Sequence, residues 1–503
     1  MLRKIRVTLA ILFFAAITML FLDFTGTVHV WLGWMAKIQF LPAVMALNVG
    51  VVVGLIVLTL LLGRVYCSVI CPLGVMQDCI SWLSGKRKGK RMRFTHSPAL
   101  KWIRYVMLVL FVIALVAGLG SVVALLAPYS SYGRIASNLF APLYRLGNNV
   151  LAHYAEQFDS YAFYSTEVWL KSMPTFIIAA VTLVALIVLA WRNGRTYCNT
   201  ICPIGTVLGF LSRFSIMHLT IDTNKCVNCG VCARKCKASC INPKEHRIDY
   251  SRCVACMDCI ESCTHDAIHY VCRLDNSGNG RVEKMQDAHD QSVEDKSRRT
   301  FLTTSAVVAA TMALKAQDKK VDGGLAVIED KQVPKRVGRI VPAGAESVHR
   351  FAQHCTGCQL CVSACPNNVL RPSTSLKTLM QPEMSYERGY CRPECNACPL
   401  VCPAGAIKPI TLAQKSSTRI GHAVWVKKNC LPLTEGVHCG NCARHCPAGA
   451  IKMVHSVEGD NESPRIPVVN VERCIGCGAC ENLCPARPYS AIYVEGHEMH
   501  SEK

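Results

Sequence analysis

The sequence predicts an α-helical membrane domain of four spans in two half-repeats, a fifth anchor further along the chain, and two small α+β domains built around cysteines. Three observations predict this. Apolar residues make up 51% of the chain and collect into runs of about 20 residues, the length that crosses a hydrocarbon core. The 31 cysteines recur in evenly spaced sets rather than singly. Residues 63–74 and 194–205 repeat one another, each just after an apolar run, as internal repeats of membrane proteins do.

The cysteine spacing carries the chemistry. Residues 226–263 contain Cys-x2-Cys-x2-Cys-x3-Cys twice, the ligand spacing of a pair of [4Fe-4S] clusters in which the fourth cysteine of each run reaches the other cluster. The motif thus assigns Cys226, Cys229, Cys232 and Cys263 to one cluster and Cys253, Cys256, Cys259 and Cys236 to its neighbour. Zinc ribbons, the competing reading, use separated Cys-x2-Cys pairs. Lys237 and Thr264 stand where proline often follows the last cysteine, and Cys240 is a competing ligand. Cys79 and Cys272 belong to no set and read as inert thiols.

Composition excludes other classes. A secreted disulfide protein is short and spaces its cysteines differently, whereas thiolates that hold iron must be loaded where thiols stay reduced. The net charge of +21 does not point to nucleic acid, because the basic residues gather beside apolar runs, where they read as contacts to a membrane surface.

Residues 1–215 form the expected membrane domain. Its spans are Val7–Phe24, Leu41–Gly63, Trp102–Leu126 and Met173–Trp191, the first read as an anchor rather than a cleaved signal. Lys86, Arg87, Lys88, Lys90, Arg91 and Arg93 crowd the loop between spans two and three, with no acid between Asp78 and Glu156. By the positive-inside rule that loop is cytoplasmic. The N terminus and residues 216–272, the first cluster domain, then lie on the same side.

The repeat reads Gly63-Arg64-Val65-Tyr66-Cys67-Ser68-Val69-Ile70-Cys71-Pro72 and Gly194-Arg195-Thr196-Tyr197-Cys198-Asn199-Thr200-Ile201-Cys202-Pro203. Two-fold symmetry would bring Cys67, Cys71, Cys198 and Cys202 together as a four-thiolate metal or iron-sulfur site; a redox-active dithiol pair and motifs that only shape helix ends are the alternatives. No span carries a histidine in its apolar interior and no Cys-x2-Cys-His occurs, which argues against haem. Asp23 and His29 read as interfacial polar residues, with proton acceptance from a quinol as the functional alternative.

Residues 273–296 read as a polar linker. In residues 297–316, Arg298-Arg299 precedes an apolar stretch to Leu314, resembling a twin-arginine export signal or anchor. Residues 317–503 carry four more sets: Cys355, Cys358, Cys361 and Cys365; Cys391, Cys395, Cys398 and Cys402; Cys430, Cys439, Cys442 and Cys446; and Cys474, Cys477, Cys480 and Cys484. Six [4Fe-4S] clusters are expected overall, with outer set paired to outer and inner to inner. No catalytic acid, nucleophile or phosphate loop stands out, so catalytic residues stay unknown.

In this order of parts, the first 272 residues resemble the NapH-type membrane quinol dehydrogenase subunit. The segment from Arg298 onward is similar to the NapG-type periplasmic ferredoxin, so the chain resembles a fusion of the two. The resemblance implies an α-helical membrane domain with two α+β bacterial ferredoxin-like cluster domains in a bacterial inner membrane, the first domain cytoplasmic and the second periplasmic. It implies oxidation of menaquinol or ubiquinol and transfer of electrons to a periplasmic reductase, such as a nitrate reductase, or to a cytochrome c. The alternatives are a membrane-anchored cytoplasmic ferredoxin hub and a CcoG-like metal reductase or assembly factor. A bilayer core of about 30 Å is long for one electron step, so a cofactor in the spans or the quinol itself would have to bridge it.

Overall fold

Local backbone chemistry interrupts two of the four expected spans. The computed structural model describes residues 2–23, 25–85, 94–160, 163–273 and 329–502; the twin-arginine-like segment, most of the linker and the basic cluster 86–93 lie outside them. Helix α1 (Leu2–Leu22) is followed by three short helices, α2 (Thr27–Leu32), α3 (Trp34–Lys37) and α4 (Phe40–Met45), and then by α5 (Val49–Leu62). Span two therefore divides between α4 and α5. Leu47 turns left-handed at φ 53°, and the Asn48 side chain accepts from the Val51 amide, capping a new helix.

The second half repeats this plan. After α6 (Pro72–Gly85), span three divides into α7 (Lys101–Val116) and α8 (Gly120–Leu126), because Gly118 stops α7 at φ 70°, a region glycine enters without strain. Then come α9 (Pro128–Ile135), a π-helical turn, α10 (Ala141–Gln157), α11 (Met173–Asn193), α12 (Thr196–Thr200) and α13 (Pro203–Leu211). The four uninterrupted spans are thus corrected to two helices long and apolar enough to cross a membrane among the described residues, α1 and α11, each of 21 residues and about 31 Å. Only 28% and 22% of their apolar windows are buried, so most of their apolar surface faces outward.

Residues 216–272 pair strand β1 (Met217–Ile221) with β4 (Ile268–Cys272), antiparallel, from Met217 opposite Cys272 to Ile221 opposite Ile268. Inside them lie the β2–β3 hairpin (Ile241–Asn242, Arg247–Ile248) and two one-turn helices, α14 (Val231–Lys235) and α15 (Asp258–Ser262). Among its described residues the C-terminal domain has three two-stranded antiparallel sheets: β5 (Leu370–Pro372) with β6 (Pro382–Met384), β7 (Thr418–Trp425) with β10 (Ile492–Glu502), and β8 (Ile451–His455) with β9 (Arg465–Val469).

The bundle lies between the two cluster domains. At one end the Ile216 amide donates to the Leu60 carbonyl at 2.7 Å, Arg104 Nη2 to the Ser251 carbonyl at 2.8 Å, and Arg3 pairs with Asp258 at 2.8 Å. At the other end His354 Nδ1 meets the Met45 carbonyl at 3.1 Å. There too Asn138 Nδ2 donates to Gln359 Oε1 at 2.8 Å, and Lys171 Nζ to the Val362 carbonyl at 2.6 Å. Helices α1, α5, α7 and α11 each run from one domain to the other.

Candidate iron-sulfur relay

Each Cys-Pro step is built by its proline. A residue before proline is held extended, and Cys202 lies at φ −69°, ψ 116° and Cys71 at φ −75°, ψ 113°. Proline then opens a helix, where its missing N–H is no loss. Each second cysteine therefore sits at a helix N-terminus with its sulfur facing free amides; Gly205 N–H donates to Cys202 Sγ at 3.3 Å. Burial raises both thiols above their ordinary value, and these amide donors oppose it only in part.

The two repeats meet face to face. Cys67, Cys71, Cys198 and Cys202 are all buried, and Cys202 lies within electrostatic reach of the other three. Arg195 Nη1 donates to the Cys67 carbonyl at 2.6 Å and Arg64 Nη2 to the Cys198 carbonyl at 3.4 Å, so each repeat's arginine holds the other's first cysteine. Gln77 Nε2 donates to Cys198 Sγ at 3.2 Å. Glycine is required beside them: a Cβ at Gly74 would stand 2.2 Å from the Cys67 carbonyl oxygen, and one at Gly205 2.2 Å from that of Cys198.

Asp78 ties this site to the first cluster domain. It pairs with Arg195 at 2.8 Å and Lys237 at 3.7 Å and with Arg6. Burial alone would raise its pKa, but Arg195, Lys237 and Arg6 hold the carboxyl well below the usual range. Beyond Lys237, Cys236, Cys253, Cys256 and Cys259 gather as one set: Cys259 is in reach of the other three. Cys240 Sγ lies 3.5 Å from Cys236 Sγ, inside that set. Cys226, Cys229 and Cys232 form a second group, and Cys263 Sγ accepts from the Ala267 amide at 3.3 Å.

The C-terminal sulfurs close around cavities. Cys355, Cys358, Cys361 and Cys402 line one; Cys365, Cys391, Cys395 and Cys398 line another; Cys430, Cys439, Cys442 and Cys484 line a third. Cys446 is in reach of Cys477, and Cys480 of Cys474, Cys477 and Cys446. The expected pairing of outer with outer and inner with inner is therefore corrected. The first set exchanges its fourth cysteine with the second, and the third with the fourth, because each Cys-Pro step turns back within its own fold unit. The Cys391 amide donates to the Cys477 carbonyl at 2.9 Å, joining the two units.

These cradles fit [4Fe-4S] clusters. Burial pushes the Cys358 thiol up to about 12 and that of Cys477 likewise, so a free thiol there stays protonated and bound iron must hold the thiolate.

Between the thiol quartet of the bundle and the C-terminal domain lies α9, buried along its whole length. Tyr197, beside Cys202 and Cys198, is in reach of Ser131 and Arg134 on that helix. Tyr129, also on α9, is in reach of Cys358 and Cys402. Neither α9 nor Asp78 stands out in the sequence; the Gly-Arg-x-Tyr-Cys repeat is the signal that marks the two arginines and two tyrosines.

Comparison with known proteins places matches on these same segments. A 4Fe-4S binding domain model matches residues 44–91 and 173–220, the two repeats themselves. A 4Fe-4S dicluster domain model matches 354–406 and 437–487, which agrees with the pairing seen in the structure. A further 4Fe-4S binding domain model matches 246–269. The chain is 31% identical over 176 residues to the ferredoxin-type protein NapG of Escherichia coli (strain K12), covering 32% of this chain and 75% of NapG. It is 29% identical over 179 residues to the ferredoxin-type protein NapF of the same strain, 35% of this chain and 99% of NapF. It is 27% identical over 199 residues to YccM of that strain, 39% of this chain and 47% of YccM, so the chain spans about half of YccM's length. No solved structure matches the chain.

Proposed function

The chain belongs to the ferredoxin-type 4Fe-4S proteins, and on that premise we propose that it is a membrane-bound electron conduit that oxidises a quinol. It serves as a fusion of NapH-type and NapG-type subunits, with the quinol pool on one side of its chemistry and a periplasmic reductase or cytochrome c on the other. The observation that carries this reading is the placement of two cluster domains at opposite ends of one helical bundle, with a buried thiol quartet between them. A membrane-anchored hub on one side of the bilayer has no use for that separation, and a metal reductase needs no four-cluster domain beyond the bundle.

When bound, iron-sulfur clusters supply one-electron redox chemistry. The chain's own residues set where that chemistry occurs. Cys67, Cys71, Cys198 and Cys202 offer a seventh site that divides the crossing into shorter steps. Asp78, Arg195 and Lys237 clamp the first cluster domain against that site. Helix α9 fills the space on its other side and excludes water.

The test is protease access to a C-terminal epitope in intact and lysed spheroplasts, combined with anaerobic reduction of the purified chain by quinol. Digestion in intact spheroplasts and quinol-dependent bleaching of the cluster absorbance are expected. Protection until lysis, with no bleaching by quinol, would return the chain to a cytoplasmic hub.

A further inference from the structure

Asp23 and His29 form a dyad at the end of α1. Asp23 Oδ1 accepts from the Thr25 amide at 2.9 Å, the Thr25 hydroxyl at 2.7 Å and the Gly26 amide at 2.9 Å. Its Oδ2 accepts from the Val28 amide at 2.9 Å and faces His29 Nδ1 at 3.0 Å. With three donors on one oxygen and an amide on the other, the carboxyl has no room for a proton of its own and stands as a carboxylate. His29 Nδ1 must then carry hydrogen and donate it, which leaves Nε2 as the ring nitrogen the carboxylate does not hold.

That nitrogen is idle. His29 Nε2 is buried and has no hydrogen-bond partner among the described residues, in side chains only 7% exposed for His29 and 2% for Asp23. A buried polar atom without a partner is destabilising. An imidazole held through one nitrogen by a carboxylate, with its second nitrogen free of protein partners, is the arrangement of a general base.

Its position matches one substrate class. Phe21, two residues before Asp23, and the carbonyl of Cys358 flank the same residue: a Cβ at Gly133 would stand 2.3 Å from the Cys358 oxygen and 2.9 Å from the Phe21 ring. The dyad thus follows the end of α1 that faces Cys358 across Gly133. Trp31 and Val30, next to His29 on α2, are about four-fifths exposed and offer an apolar approach to a ring or an isoprenoid tail.

We propose that His29 is the catalytic base of the quinol site: its Nε2 takes the first proton from the quinol hydroxyl, with Asp23 as the positioning residue that fixes the tautomer and stabilises the imidazolium. The inference rests on the quinol reading above. The balance is that one quinol gives one quinone, two protons and two electrons. The first proton goes to His29 and the second to water, and the two electrons would pass, one to each, to two [4Fe-4S] clusters held by the C-terminal cysteines.

The experiment uses the full, iron-loaded chain. Reduction by menadiol is followed by anaerobic stopped flow, with dithionite as the total-cluster control. His29 is footprinted by diethyl pyrocarbonate and mass spectrometry, with and without a hydroxyquinoline N-oxide. His29→Gln should slow menadiol-dependent bleaching about 100-fold or more with dithionite bleaching unchanged. Asp23→Asn should lower the maximal rate while leaving the half-saturating menadiol concentration in place. The N-oxide should protect His29 from modification. His29→Asn is measured in parallel in case the glutamine variant fails to load iron. Wild-type rates in both histidine variants, a His29 that the reagent does not reach, or modification that the N-oxide does not reduce, would overturn the inference while leaving quinol oxidation standing. A wild-type chain bleached by dithionite but never by menadiol would overturn the quinol reading and the base together.

Discussion

Arg195 of the second repeat holds Cys67 of the first, Nη1 to carbonyl oxygen at 2.6 Å, and Arg64 returns the contact to Cys198 at 3.4 Å. Both guanidiniums are fully buried, so the exchange locks two distant stretches of chain into one site. Arg195 also carries the ion pair with Asp78, which makes it the junction between thiol quartet and cluster domain.

Arg195→Met should therefore leave Asp78 buried against a weakened set of cations and destabilise the fold by about 3–5 kcal/mol, whereas Asp78→Asn with Arg195→Met should recover part of the loss. Thermal melts of the three variants measure this coupling. Because the Asp78 pKa is depressed in the fold, its contribution is present above the unfolded carboxylate range near 3.9 and is lost only as pH falls below it. The Arg195 effect should thus be flat between pH 5 and pH 8.

The cysteine exchange predicts which ligands share iron. Cys402→Ala should remove the same cluster as Cys355→Ala, each losing about four irons, and the double variant should lose no more than either single one. Cys484→Ala should instead be redundant with Cys430→Ala. Iron content per chain decides it; additive losses within either pair would restore the outer-to-outer arrangement.

Glycine spacing gives a packing test. Gly74→Ala and Gly205→Ala place a methyl 2.2 Å from a cysteine carbonyl, and each should destabilise by about 1–3 kcal/mol through overpacking and disturb the quartet's spectroscopic signature. Gly54, inside α5 with open space where a Cβ would stand, is the control. Gly54→Ala should raise the melting temperature slightly, by about 0.5–1 kcal/mol of helix preference.

His500 supplies a pH dependence. Burial, aided by His497, lowers its pKa to about 4, and both ring nitrogens are buried without partners among the described residues. A base with a folded pKa below its unfolded one stabilises the fold above the unfolded value. That contribution is lost as pH falls from about 6.5 towards 4, at no more than about 1.4 kcal/mol per pH unit. His500→Phe should flatten the melting profile of the C-terminal domain over this window; an unchanged slope would remove His500 as its source.

The ligand spacing of residues 226–263 and of the four later sets is legible in sequence because a cluster's sulfurs come from one short run, and a short run is local information. The repeat at Cys67 and Cys198 is legible as a repeat for the same reason. Which fourth cysteine crosses to which run is not, since that depends on where each Cys-Pro turn sends the chain in space; Cys402 and Cys355 are 47 positions apart and meet only through packing.

Apolar length by itself overstates the spans. Hydropathy sees Leu41–Gly63 as continuous, but a left-handed Leu47 and a capping Asn48 divide it, and Gly118 divides the next run. Asp23 and His29 show the converse: six positions apart in sequence, they are ordinary polar residues until the turn at Gly26 folds the imidazole onto the carboxylate. By itself the sequence determined the cofactor chemistry and the two-fold plan, because both are written in local spacing. The tertiary structure alone decided the convergence of the four bundle thiols, the pairing of the C-terminal quartets, the insertion of α9 and the free nitrogen of His29, because each depends on burial and on contacts between segments far apart in the chain.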